Sequence, residues 1–259
     1  MNTKELIDSY SKLFQKYDVK PNDKIRESVE RMKQIDQMVP PIESFFALVN
    51  LPAHKFEFMS KNFEHNLGYS LKELHDNGSI LFLLSKMHLA DAPIWLKAAE
   101  ELMQFIITKV PVEKRSKISI SYNFRIMKKN GTYVNILEHI SPLLFDENNV
   151  PIVGTAFYTL NGSEHEYPII GSVKYLNEKN GYETLFYKNF SSKSIENKLT
   201  NREIDIIRQL ALGKTSKEIG DTLFISSHTV DKHRRNLLKK MNFKSTGETI
   251  QYFKDNFLL

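Results

Sequence analysis

The sequence predicts an α+β protein in two parts: an antiparallel sheet with flanking helices, then an all-α tail of four helices. Three observations predict it. Ile118, Ile120, Tyr122, Phe124 and Ile126 alternate with Ser119, Ser121, Asn123 and Arg125, the two-residue period of a strand with one buried face. Asn130-Gly131 comes next, a pair that accepts the positive φ of a tight hairpin, and apolar runs at 132–145 and 151–160 follow with a short polar turn between them. From residue 199 the apolar period lengthens to that of helices, several opened by a hydroxyl residue that can accept from a free first-turn amide.

Taken in order, residues 4–17 place Leu6, Tyr10, Leu13, Phe14 and Tyr17 at helical spacing. Pro21 interrupts, and Ile25, Val29, Met32 and Ile35 make a second amphipathic stripe up to Pro40-Pro41. These helices of segment 1–42 are expected to pack on their own domain, or to supply a dimer contact. Two short strands are expected at 44–50 and 56–59, then helical pieces around 66–74. Asp91 and Pro93 signal a helix start, and Trp95, Ala99, Leu102 and Ile106 carry that helix to about Thr108. After the three strands from 118 to 160, segment 162–198 is expected to be a linker. It holds a candidate hairpin of 172–177 with 182–187 across Glu178-Lys179-Asn180-Gly181, and ends in a polar stretch at 191–198.

In the tail, 199–259, Thr200-Asn201-Arg202-Glu203 has the form of a capping box, and Ile204, Ile207 and Ala211 make the stripe of the helix it opens. Gly213 closes that helix. A short helix from about Ser216 to Leu223 follows, then a third begun at Ser226 or Ser227. On the third, Val230, Leu237 and Met241 fall on one side, and His228, Lys232, Arg235 and Lys239 on the other. Two helices joined by a tight turn, the second basic on its outer face, form a helix-turn-helix pattern. Ser245-Thr246-Gly247-Glu248 opens a fourth helix bearing Ile250, Phe253 and Phe257, a stripe the small unit before it has little core to cover. Part of it is expected to meet a second copy, giving a homodimer.

Leu199-Thr200-Asn201-Arg202-Glu203, Leu212-Gly213-Lys214-Thr215-Ser216-Lys217-Glu218-Ile219, and Ile225-Ser226 through Thr229-Val230 and His233 resemble the LuxR-type (GerE-type) DNA-binding domain, without gaps. The resemblance implies a partner, double-stranded DNA, and a division of labour. Asp231, Lys232 and Arg235 would face base edges in the major groove, where Lys and Arg donate to guanine O6 and N7. Lys214, Lys217, Thr229, His233, Lys239 and Lys240 would meet phosphates, which fix position without reading sequence. The family usually has Lys where this chain has Asp231. An acid cannot donate to guanine but can accept from a cytosine amino group, so an altered operator is expected.

The order of two strands, short helices, one longer helix and three strands over 43–161 resembles a PAS domain. So do Asn66-Leu67-Gly68-Tyr69-Ser70-Leu71-Lys72-Glu73-Leu74 and Lys129-Asn130-Gly131-Thr132-Tyr133. The Asp-x-Thr that often closes such a domain is absent, and Asn161-Gly162-Ser163 stands there. A sensory or dimerising role is what this resemblance implies.

Composition agrees. The net charge of +5 is concentrated in the tail, where eleven Lys and Arg face seven Asp and Glu. There is no cysteine, hence no disulfide, no thiolate metal site, and no photoactive flavin of the cysteine-adduct kind. His54, His65, His75 and His88 lack the i, i+4 spacing of a helical metal pair, and no metal site is expected. No cofactor is called for by any motif. Haem stays open, with His75 or His88 as axial ligand, and so does flavin bound otherwise. No nucleophile–base pair, phosphate loop or paired carboxylates point to an enzyme. With no signal peptide and no apolar run of ~20 residues, a cytoplasmic protein off the membrane is expected.

The function expected is sequence-specific transcriptional regulation, with the N-terminal domain sensing a small-molecule or protein signal or mediating dimerisation. Two alternatives stand beside it: a ligand-free protein-interaction module, or a haem-type cofactor sensor.

Overall fold

Seven strands form a single antiparallel sheet in the computed structural model, which describes residues 2–14, 23–162, 167–191 and 199–255. The strands are β1 (Ser44–Asn50), β2 (Lys55–Met59), β3 (Ile118–Met127), β4 (Tyr133–Phe145), β5 (Pro151–Asn161), β6 (Ile170–Leu176) and β7 (Tyr182–Asn189). Their order across the sheet is β2-β1-β5-β4-β3-β6-β7. The chain divides into two compact units, Met1–Phe190 and Ser191–Leu259.

In the first unit the two-residue period of β3 is realised: every second side chain from Ile118 to Ile126 is buried. Gly131 takes φ +85° in the turn that leads into β4, where a side chain would be strained. The buried face of β3, β4, β5 and the inner side of β1 packs against α1 (Thr3–Phe14) and α6 (Ala92–Lys109). Three short helices, α3 (Asn62–Leu67), α4 (Leu71–Asp76) and α5 (Ile80–Ser85), complete that layer. The opposite face of β1, with Phe46 and Leu48, takes Met32 of α2 (Asp23–Met38). The two N-terminal helices thus cover opposite faces of one sheet. Leu6, Tyr10 and Phe14 are all buried on α1, while Ile35 and Met38 of α2 are exposed.

Two polar residues hold this layer together. Asp91, expected to open α6, makes no capping bond there. Its carboxylate instead accepts from the Arg125 backbone amide (2.9 Å) and from the Arg125 guanidinium, pinning the start of α6 to β3. Arg115, buried in a short 3-10 helix (Val112–Lys117), donates to the carbonyls of Ile107 (2.8 Å), Val110 (3.0 Å) and Asn149 (2.7 Å). It satisfies orphan acceptors at the α6 C-terminus.

The hairpin expected inside a 162–198 linker forms, but as part of the sheet. β6 pairs with the free edge of β3, Ile120 opposite Val173, and β7 pairs with β6. The edge of β3 needed partners for its amides and carbonyls, and β6 provides them. The first unit accordingly runs to Phe190.

The second unit contains α7 (Asn201–Ala211), α8 (Ser216–Leu223), α9 (Ser227–Met241) and α10 (Thr246–Asp255). Its core is Ile206, Leu210, Ile219 and Val230, with Leu223, Ile225 and Ile250 packed against them. The stripe expected on α7 is displaced: Ile206, Ile207 and Leu210 are buried, and Ile204 and Ala211 are half-buried. The apolar stripe of α10 is corrected more strongly. Phe253 is 3% exposed, Tyr252 packs on Phe243 with ring centroids 4.9 Å apart, and Ile250 joins the core. Phe243, beyond the end of α9, supplies cover that helical periodicity alone does not count. Phe257 lies outside the described residues.

Candidate nucleic-acid interface and core cavity

The helix-turn-helix is assembled by caps. Thr200 and Glu203 form a full capping box on α7, and Thr215 and Glu218 form a second on α8 that the sequence analysis did not single out. Ser226 caps α9, its hydroxyl accepting from the Thr229 amide at 3.1 Å. Between α8 and α9 the chain turns at Phe224, which takes the left-handed conformation (φ 55°). The turn folds back onto α8 at Gly220, where a β-carbon would lie 2.6 Å from the Ile225 carbonyl oxygen.

With Val230 and Leu237 buried, the opposite face of α9 is open, and Asp231, Lys232, Arg235 and Lys239 are all exposed. Among the described residues Lys232, Arg235 and Lys239 make no ion pair, so their charges are not spent inside the domain. Lys217 is exposed on α8 in the same way. Thr229 and His233 are half-buried, and Lys214, also half-buried, donates to the Thr222 hydroxyl (3.3 Å).

Two of the residues grouped with them have partners in the fold. Asp231 accepts from the Ser216 hydroxyl at 2.6 Å and lies 3.5 Å from Arg234. Arg234 also donates to Ser216 (2.8 Å) and Thr246 (3.0 Å), tying together α8, α9 and the start of α10. Lys240 donates to the buried carboxylate of Glu203 at 2.8 Å. Burial alone would raise the Glu203 carboxyl, but hydrogen bonds from Lys240 and Thr200 outweigh it and hold it below the ordinary range. A phosphate at Lys240 competes with that bond.

The first unit holds a partly open cavity of about 80 Å³ between the sheet and α1, α5 and α6. That is several times the ~10–15 Å³ that seats one water. Its lining is apolar and aromatic, with one acid, Glu138 of β4. The cross-strand register places Glu138 between Tyr122 of β3 and Tyr158 of β5, and Tyr158 donates to it. Burial pushes the Glu138 carboxyl up to about 7 against the downward pull of that bond. Sequence reading missed this residue. The signal was its phase, since Val134, Ile136, Glu138 and Ile140 share a face, but Leu137 on the other face blurred the alternation.

Among the described residues no histidine lines the cavity, and neither His75 nor His88 reaches it. His75 is exposed, and His88 accepts from the Ala90 amide (3.2 Å) and meets the Tyr133 ring edge-on. Trp95 does line it, and its buried indole nitrogen has no hydrogen-bond partner among the described residues. Among the described residues no cluster of His, Asp or Glu is placed to hold a metal ion, and no helix is long and apolar enough to cross a membrane.

Comparison with known proteins agrees with both halves of this geometry. Residues 197–253 match the family of bacterial regulatory proteins called luxR, and residues 56–156 match the PAS fold. A nitrate/nitrite response regulator protein homolog of Haemophilus influenzae is 46% identical over 59 residues, 22% of this chain and 28% of its own length. A probable csgAB operon transcriptional regulatory protein of Salmonella typhimurium is 32% identical over 114 residues, 42% of this chain and 53% of its own. The chain thus spans between about a quarter and half of the curated relatives quoted. Among solved structures, a VqmA–ligand–DNA complex of Vibrio cholerae aligns at 16% identity over 87% of this chain and 86% of its own, with a TM-score of 0.35.

Proposed function

We propose that this chain, which carries a luxR-family DNA-binding domain behind a PAS fold, is a sequence-specific transcription regulator that takes its signal from a small molecule in the cavity of its first unit. The observation that carries the DNA-binding reading is the row of exposed cations on α9, Lys232, Arg235 and Lys239, which make no ion pair among the described residues, on a helix whose other face is locked into the domain core. Lys232 and Arg235 read base edges, and Asp231 joins them when DNA displaces Ser216 from its carboxylate. Lys214, Lys217, Thr229, His233 and Lys239 position the backbone, with Lys240 joining only by leaving Glu203. The cavity supports the sensory reading, since small-molecule sites are typically apolar hollows with a few placed polar groups.

The regulator acts as a dimer in the cytoplasm on half-sites about one helical turn apart. With α10 covered by its own domain, the better-supported contact surface is on the first unit. Met38 of α2 is 77% exposed and Phe157 of β5 53%, with Ile35 and Ile42 also exposed.

The test is direct. The segment 199–259 should bind duplex DNA, with log affinity falling against log salt at a slope near −5 if about six phosphates are neutralised. Arg235→Ala and Lys232→Ala should cost roughly 1–3 kcal/mol of discrimination where a base contact is lost. Lys239→Ala should weaken specific and random binding alike. Salt-independent binding, or equal losses from all three substitutions, overturns the assignment.

A further inference from the structure

We infer that the cavity of the first unit takes a small organic amine, with an apolar remainder no larger than about one ring, received by the Glu138 carboxylate within a cage of aromatic side chains. The inference rests on the reading that this cavity is a ligand site. Three observations in the structure carry it.

The first is charge. Among the described residues of the lining, Glu138 is the sole ionisable side chain apart from three tyrosines, Tyr10, Tyr122 and Tyr158, and it is 6% exposed. A lone carboxylate in an apolar hollow is costly, and a partner that neutralises it is favoured. An amine does so wherever the proton sits, because carboxylate with ammonium and carboxylic acid with free amine are both neutral pairs. An anionic guest would set two like charges together, and a hydrocarbon would leave the acid with the Tyr158 hydroxyl alone and no counter-charge. The carboxyl's position near neutrality lets it exchange that proton with a bound amine under ordinary conditions.

The second is the cage. Tyr10 from α1, Trp95 from α6, and Tyr122 and Phe124 from β3 all line the cavity. Their rings meet one another, Trp95 stacked on Tyr10 at 6.1 Å and edge-on to Tyr122 at 5.7 Å. Aromatic faces are negative at their centres and attract an ammonium group, most strongly when water is excluded. Rings around one acid form a set of groups of negative potential, with no positive side chain among the described residues of the lining.

The third is size and free donor capacity. About 80 Å³ suits a guest of single-ring dimensions, the order of cavity that takes benzene in an otherwise dry core. The unpartnered Trp95 N–H gives the guest a further contact, to an acceptor atom or to the face of its ring.

The experiment uses the full-length protein, whose one tryptophan is Trp95, so that its emission reports occupancy of the cavity. Benzylamine, benzyl alcohol and benzoate are titrated near neutral pH, with calorimetry in parallel. They share a ring and differ in charge. Benzylamine should bind at least about ten-fold tighter than benzyl alcohol, and benzoate should bind weakest. In Glu138→Gln the amine-to-alcohol ratio should fall to about one while the alcohol still binds. Tyr158→Phe keeps the carboxylate and should keep the amine preference, which guards against a Glu138→Gln protein that fails to fold. If all three compounds bind equally, the cavity is a ligand site and the amine inference is overturned. If none alters Trp95 emission or evolves heat, the ligand-site reading falls and the inference falls with it.

Discussion

Gly220→Val tests how the recognition helix is held. A β-carbon at this position would sit 2.6 Å from the Ile225 carbonyl oxygen and 3.3 Å from the Ser227 amide, both backbone atoms of the turn that aims α9. Valine adds two further methyl groups in the same crowded space. Helix propensity offers little relief, since valine improves on glycine by only a few tenths of a kcal/mol. Overpacking costs about 1–3 kcal/mol, and a clash with turn backbone belongs at the upper end of that range. A domain of about sixty residues seldom holds more than ~3–5 kcal/mol in total, so the valine variant should be largely or partly unfolded. Alanine is the graded control: its β-carbon meets the same carbonyl oxygen, and about 1 kcal/mol of gained propensity offsets only part of that clash, so it should destabilise by about 1–2 kcal/mol, less than valine. Urea titration of the 199–259 segment by circular dichroism would measure both, with fluorescence anisotropy on duplex DNA beside it. A valine variant with unchanged urea midpoint and unchanged DNA affinity would refute the close-approach reasoning.

Arg115→Ala removes a charged donor from three carbonyls and should destabilise the first unit by roughly 3 kcal/mol or more, seen as a lower melting temperature of that unit alone. Glu203 is held below its ordinary pKa by Lys240 and Thr200, so its contribution is present above the unfolded value of about 4.3 and is lost as pH falls through the folded one. Glu203→Gln should therefore lower the urea midpoint at neutral pH and close on wild type in acid. Glu138 has the opposite sign. Its carboxyl rises to about 7 in the fold, so ionisation favours the unfolded chain and wild type loses stability as pH climbs from about 4 to about 7. Glu138→Gln should gain on wild type across that interval, by on the order of 3 kcal/mol at most, with a constant gap above it. A gap that does not change with pH would show that Glu138 is not shifted.

Much of this architecture is legible in residues that act locally. Thr200 with Glu203, Ser226, Asn130-Gly131 and the alternation of 118–126 each fix their element through neighbours a few positions away, and each element appears where those residues place it. The misreadings come from distant partners. Whether Phe253 is covered depends on Tyr252 and Phe243, and whether the hairpin after residue 170 is linker or sheet depends on the free edge of β3. Glu138 looks like an ordinary surface acid until the phase of β4 is set by both neighbouring strands. Asp91 carries the signature of a cap, and Arg125, far along the chain, recruits it for another bond. Lys240 sits among the basic residues of α9 by pattern, yet Glu203 from the opposite end of the unit claims it.

The pairing of β1 with β5, Phe45 opposite Tyr158, has a consequence for how the protein comes into being. The strands β3, β4 and β5 are joined by tight turns and can zip locally, and β1 can form a hairpin with β2, but joining the two groups across β1 and β5 links residues more than a hundred positions apart, a slow non-local closure. Until that closure, Leu6, Tyr10 and Phe14 of α1 lack part of the cluster in which they are buried. The wall that α1 contributes to the cavity is thus completed late. A folding intermediate that has not made this closure exposes part of an apolar helix face, the kind of surface that holdase chaperones grip.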